Sequence, residues 1–297
     1  MTPSKSSRLT AQANDREGLI ARGVREGARI GLEARVEAIR AFRRLRDPEA
    51  LARLVVSIAE QAKPILVEAT VAAHLAGEAR AIANTPDQRK RVRFDRLPFD
   101  TIIEKLADKL DVSPTREAEI RAKYAGPAVE SMNLMVNDLA ERLKAAARQA
   151  IETNAHTAEG IRLLREAFTA SGWEPRANYQ IEAVFRTAAN TAYSAGRWSK
   201  NQEPEIREIL WGYEFVTAGD DRVRPEHQAL DGLRMPVEDP RWRDVMPPVP
   251  SSPWNCRCDV VEIYREESEL AAVSIPAGAF DGLIGVGVGS PFGSAVA

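Results

Sequence analysis

Two strand-like runs, EILWGYEFVTA (residues 208–218) and CDVVEIY (258–264), bracket a stretch over residues 217–255 that is rich in Asp, Pro, Arg and Gly and has no helical period. Both runs alternate apolar positions with others and carry β-branched residues, the pattern of short strands. A connection of this length inside a compact domain is usually either disordered or functional. Apolar residues recur along it: Val223, Leu230, Leu233, Met235, Trp242, Val245, Met246 and Trp254. Such anchors predict an ordered, Pro-rich loop.

Upstream, the spacing predicts helices. Residues 15–46 place Leu19, Val24, Ile30, Val36, Ile39 and Phe42 among nine arginines. Four glycines, Gly18, Gly23, Gly27 and Gly31, weaken this as an isolated helix, each by roughly 1 kcal/mol against Ala. Asp47-Pro48 resets the chain, since Pro suits a first helical turn. Residues 48–83 read as a second helix, bent or broken near Pro64. Residues 84–98 form a polar, basic linker. FDTIIEKLADKL (99–110) is amphipathic with Asp100 as its N-cap. A helix over 114–125 is predicted to stop at Gly126-Pro127. Further helices follow over 128–152, with apolar residues close to period 3.6, over 157–171, opened by Thr157-Ala-Glu-Gly-Ile, and over 178–200, with an apolar stripe.

The fold class expected is therefore mainly α: a long-helix N-terminal body followed by a small α+β domain with an ordered Pro-rich loop. By region this gives a helical, basic part over 1–98, a helical body over 99–200, the small α+β motif domain over 201–265, and an apolar, Gly-rich C-terminal arm over 266–297. No apolar run approaches bilayer length, so no membrane partner is expected. The opening MTPSKSSRLTAQANDREG has no apolar core followed by a cleavage site and is not read as a secretory signal. Residues 1–100 hold 19 Lys and Arg against 13 Asp and Glu, and the remainder 22 against 30. A basic front half suits a polyanion or an acidic protein face, but solvated helix arginines paired with nearby Glu explain it more simply. The densest basic text is RAIANTPDQRKRVRFDR (80–96), and Arg89, Lys90, Arg91, Arg93 and Arg96 are the candidate DNA or partner contacts. No aromatic-interleaved stripe accompanies them, so such contact is expected to be non-specific and salt-sensitive.

The chemistry-bearing residues concentrate around the loop. The chain has only two cysteines and three histidines. His227 follows the first strand-like run, and Cys256 and Cys258 open the second. A Cys256–Cys258 disulfide would close a tight, strained ring and is not expected. The candidate set is Trp211, Asp220, Asp221, Arg222, Arg224, His227, Gly232, Trp242, Pro247, Pro248, Asn255, Cys256, Arg257 and Cys258. Three readings stand. His227, Cys256 and Cys258 could hold zinc with Asp220 or Asp221 completing the site, although CxC is an awkward bite. A cysteine activated by His227 could act as a nucleophile, but no catalytic motif supports a reaction class. The leading reading is a structural knot without cofactor: aspartates holding turn amides and arginines, His227 bridging with both ring nitrogens, and the cysteines as small buried apolar groups.

The texts RTAANTAYSAGR (186–197), Trp211, GDDRVRPEHQALDG (219–232) and PP…NCRC (247–258) together resemble the phage Mu protein F-like, or phage head morphogenesis, domain of minor head proteins. The resemblance covers roughly residues 130–265. It implies a low-copy virion protein acting in prohead assembly, DNA packaging or ejection, docked inside the capsid near the portal vertex and present in host cytoplasm during assembly. Its partners would be the portal protein, other head proteins and packaged double-stranded DNA, and no turnover chemistry is implied. The alternatives are a zinc- or Cys/His-dependent hydrolase or transferase centred on 220–258, and a DNA-binding accessory protein.

Overall fold

Chain-reversing residues and apolar spacing account for most helix boundaries in the computed structural model, which describes residues 5–45, 47–84, 97–153, 157–173, 179–250, 253–267 and 271–281. Helix α1 spans Lys5–Leu45. Helix α2 (Pro48–Ala59) starts where predicted: Asp47 caps it, its carboxylate accepting from the Glu49 and Ala50 amides, with Pro48 in the first turn. The chain breaks at Glu60–Gln61, and α3 (Ala62–Asn84) begins with Pro64 in its first turn, where no backbone donor is required. Helix α4 (Phe99–Leu110) buries Phe99, Ile102, Ile103 and Leu106.

Two local expectations are corrected. The N-cap of α4 is Pro98, without a side-chain cap bond, and Asp100 sits inside the first turn. Helix α5 runs unbroken over Pro114–Glu152 with Pro127 inside it. A helix-interior proline costs about 3 kcal/mol, and here Tyr124, Ala128, Met132, Leu139 and Leu143, all buried, outweigh it on either side. Helices α6 (Thr157–Ala170), α7 (Tyr179–Asn201) and α8 (Pro204–Ile209) complete the long-helix part.

The remaining elements are strand β1 (Leu210–Val216), the single-turn helix α9 (Pro225–Gln228), strand β2 (Arg234–Pro236), the single-turn helix α10 (Trp242–Val245) and strand β3 (Asp259–Tyr264). They form a three-stranded antiparallel sheet of order β2-β1-β3, with Tyr213 opposite Met235 on one side and Glu262 on the other. The fold class is as expected, mainly α with one small α+β region. The loop between β1 and β3 is ordered over its described residues and contributes α9, β2 and α10. Its anchors Leu230, Leu233, Met235, Trp242, Val245 and Met246 are buried with Tyr213, Phe215, Cys256, Cys258 and Tyr264, whereas Val223 and Trp254 are half-buried.

The chain divides into two compact units. One gathers the described residues up to Ile20, Glu68–Tyr124 and those from Arg186 onward; the other gathers Ala21–Val67 and Ala125–Phe185. In the second unit the α1 glycines have a use their propensity hides. A Cβ on Gly23 or Gly27 would lie 2.2 Å from Phe185 or 3.0 Å from Ile181, and one on Gly31 would lie 2.6 Å from the Trp173 carbonyl. The spacing of four lays these glycines along one helix face, and α7 side chains fill the groove they leave. In the first unit α3 and α7 meet backbone to backbone at Gly77 and Gly196. The α3 residues 69–81 are buried all round, as a core helix must be.

Candidate functional site

After β1 the chain turns through Gly219, whose φ of +70° glycine adopts without a Cβ penalty. The turn presents Asp220 to the opposite wall of the loop. Arg257 donates to both Asp220 oxygens at 2.6 Å each, a bidentate pair. The Arg222 amide donates to Asp220 Oδ1 at 3.1 Å, closing a local turn. The Arg257 hydrogen bonds, helped by that amide, hold the Asp220 carboxyl well below the usual carboxylate range. Further along, Arg224 Nη2 donates to the Trp254 carbonyl at 2.6 Å.

The third tie is the cysteine–histidine cluster. His227 Nδ1, on α9, lies 3.6 Å from the Sγ of Cys256 and 3.6 Å from that of Cys258. Relative exposures are 1% for His227, 2% for Cys256 and 3% for Cys258. Contact with the Cys258 thiol first, and with the His227 ring second, holds the Cys256 thiol below its ordinary value. Cys258 is pushed up, because its sulfur donates to Cys256 and because burial disfavours a second charge. The predicted bridge through both ring nitrogens is not formed: Nδ1 meets sulfur, and Nε2 is buried without a hydrogen-bond partner among the described residues.

Helix α7 holds the cysteine wall from behind. Asn255 has φ +57°, a left-handed conformation that Asn tolerates, and its amide donates to Thr187 Oγ1 at 3.0 Å. Asn190 Nδ2 donates to the Cys256 carbonyl at 2.7 Å, and Arg16 Nη1 to the Cys258 carbonyl at 3.4 Å. Arg197 is buried on the same helix. It donates from Nη1 to Asp259 at 2.8 Å, from Nη2 to the Val260 carbonyl at 2.9 Å, and from Nε to Glu262 at 3.1 Å. Asp259 also pairs with Arg16 at 2.9 Å, and Glu262 accepts from Asn84 at 3.0 Å and Asn201 at 3.4 Å.

Thr187, Asn190, Arg197, Asp259, Glu262 and Arg16 were not among the candidates read from the sequence. The signal was there. Arg186, Thr187, Asn190, Thr191, Ser194, Arg197 and Asn201 recur every three or four residues and are all buried, so α7 carries a polar stripe turned inward, with Arg197 answered by two carboxylates on β3.

The other candidates divide. Trp242 Nε1 donates to the Pro236 carbonyl at 2.9 Å, and its ring stands edge-on to Tyr213 at 5.4 Å. Gly232 has φ +80° and donates to the Phe215 carbonyl at 2.9 Å. The Trp211 carbonyl accepts from Val237 at 3.0 Å. Pro247 and Pro248 are buried and joined by a cis peptide. These shape the loop. Asp221 is exposed, as is the Arg222 side chain, which reaches back only to Asp220 at 3.4 Å. Arg89, Lys90, Arg91, Arg93, Arg96 and His156 lie outside the described residues. His74 is buried, with Nδ1 2.9 Å from the Tyr124 hydroxyl and Nε2 3.2 Å from Glu78. No helix among the described residues is long and apolar enough to cross a membrane.

Residues 131–261 match the family model described as phage Mu protein F like protein. Over 100 residues the chain is 28% identical to a protein F of Escherichia phage Mu named for capsid assembly, an alignment covering 34% of this chain. It spans only 22% of that relative's own length. No solved structure matches the chain. The matched span opens inside α5, closes inside β3 and takes in both walls of the locked loop.

Proposed function

We propose, from the match of residues 131–261 to the phage Mu protein F like family, that this protein is a minor head protein acting in phage head assembly. One observation carries the reading: the family span contains the locked loop, and the lock is built to hold a shape. Its walls are tied by Asp220–Arg257, Arg224–Trp254 and the buried sulfur–imidazole cluster. A surface held this rigidly serves docking, because little ordering entropy is lost when a partner binds. The partners would be other head proteins. We place the protein inside the capsid near the portal vertex, where it would act in packaging or ejection and touch DNA only through phosphates. An enzyme centred on 220–258 is disfavoured by the burial of every nucleophilic or basic side chain in the cluster.

The test is genetic. Deleting the gene from the phage that encodes it should abolish DNA-filled heads in electron micrographs and collapse the titre. Supplying the protein in trans should restore both, and peptide mass spectrometry of purified virions should detect it. An unchanged titre with normal filled heads would overturn the proposal.

A further inference from the structure

We propose that His227 Nδ1, Cys256 Sγ and Cys258 Sγ form a zinc site that clips the loop shut, with a water molecule as the fourth ligand. The three donor atoms lie within 4.8 Å of one another. Zinc bonds of about 2.3 Å to sulfur and about 2.0–2.1 Å to nitrogen in a tetrahedron place sulfur about 3.6 Å from nitrogen. Both measured sulfur–Nδ1 distances are 3.6 Å. The awkwardness of CxC is met by the backbone: Asn190 and Arg16 hold the two cysteine carbonyls, and the left-handed Asn255 turns the chain into the pair.

Hydrogen bonding alone satisfies this arrangement poorly. The ring nitrogen Nδ1 offers one in-plane lone pair to two thiols that are weak donors. A divalent ion accepts from all three atoms at once. Two thiolates balance its charge and the imidazole stays neutral, so the site buries no net charge, which the surrounding apolar core of Leu230, Leu233, Val249 and Val260 requires. Neighbouring carboxylates are already engaged, Asp220 by Arg257 and Asp259 by Arg197 and Arg16. That leaves the fourth position to solvent. Asn190, bonded to the Cys256 carbonyl, and Asn255, the residue before Cys256, each carry a buried side-chain oxygen without a partner among the described residues.

The proposal is independent of the head-assembly reading, and its test uses the full chain purified under reducing conditions without a metal-affinity step. Elemental mass spectrometry should find one zinc per chain in the wild type and none in Cys256→Ser/Cys258→Ser. Zinc retained by that variant would overturn the assignment. Should the variant fail to fold, cobalt substitution of the wild type decides. Because the chain has only two cysteines, a thiolate-to-cobalt absorption band in the near ultraviolet, bleached by added zinc, can arise only from Cys256 and Cys258. Wild-type protein with no stoichiometric zinc and no such band would overturn the site.

Discussion

Asn190 reaches the Cys256 carbonyl through one buried hydrogen bond of 2.7 Å. Truncating a side chain that serves a buried polar group costs about 1–3 kcal/mol, because the group left behind is desolvated and unmet. Asn190→Ala is therefore expected to lower the free energy of unfolding by about 2 kcal/mol, measured by chemical denaturation. Asp221→Ala, at an exposed position, should fall within about 0.5 kcal/mol of wild type. Equal stability of the two variants would remove Asn190 from the lock. This contrast marks what could be read from residue order alone. His227, Cys256, Arg257 and Asp220 stand out by rarity and spacing, and the structure brings them together. Asp220 and Asp221 are neighbours of one chemical type, and only the turn through Gly219 decides which faces Arg257. Asn190 and Arg197 escaped because a polar residue on a helix is ordinarily solvent-facing, and their partners, the Cys256 carbonyl just before β3 and Asp259 on it, lie some sixty residues further along the chain.

At the scale of elements, α3 and α7 approach until their backbones touch. A Cβ on Gly196 would sit 2.0 Å from the His74 carbonyl oxygen, and one on Gly77 2.1 Å from that of Tyr193. Glycine to alanine on an open helix face adds about 1 kcal/mol of stability. Here the obstacle is backbone, which no rotamer change relieves, and overpacking of this kind costs about 1–3 kcal/mol or more. Gly196→Ala should reverse the usual sign and lower the melting temperature. A variant that melts at or above wild type would refute the close approach. The same reasoning explains why helix existence was legible and helix detail was not. Apolar periodicity located α2, α4 and α7, and Asp47-Pro48 marked a start. Glycine in α1 reads locally as weakness, and Gly126-Pro127 in α5 as a stop; both are local penalties set against packing that only the assembled helices supply. Strand β2, three residues long, is too short to show an alternation at all.

For the whole molecule the informative quantity is where the charges end. The excess of basic residues in the first hundred positions resembles a surface for a polyanion, yet Arg8 pairs with Glu267 and Arg16 with Asp259. Part of the asymmetry between the two ends of the sequence is thus consumed inside the first unit, where the front of the chain neutralises its acid-rich remainder. Only arginines such as Arg29 and Arg40, pairing with Glu26 and Glu37 one helical turn away, follow the simpler expectation of solvated helix faces. Burial makes the interior pairs matter. For Glu262 burial alone would raise the carboxyl pKa, but the Arg197 guanidinium outweighs it and holds the group below the ordinary 4.5. A carboxyl lowered by folding stabilises the native state fully above its unfolded value, and the contribution drains as pH falls through the folded one. Glu78, lowered by His74 and Arg116 against its own burial, adds in the same direction. Asp15, raised by burial, works in the opposite direction and offsets part of the slope. Glu262→Gln removes one lowered carboxyl and leaves Arg197 buried with a single charged partner, a break that costs about 3 kcal/mol at neutral pH. Melting temperatures of both proteins from pH 7 to pH 3 should then show a wide gap that holds down to about pH 4.5 and narrows below it. A gap that stays constant throughout would mean that the Glu262 charge does not anchor Arg197. Because the comparison is between two proteins that share His227, Cys256 and Cys258, loss of zinc in acid affects both alike and leaves the difference to Glu262.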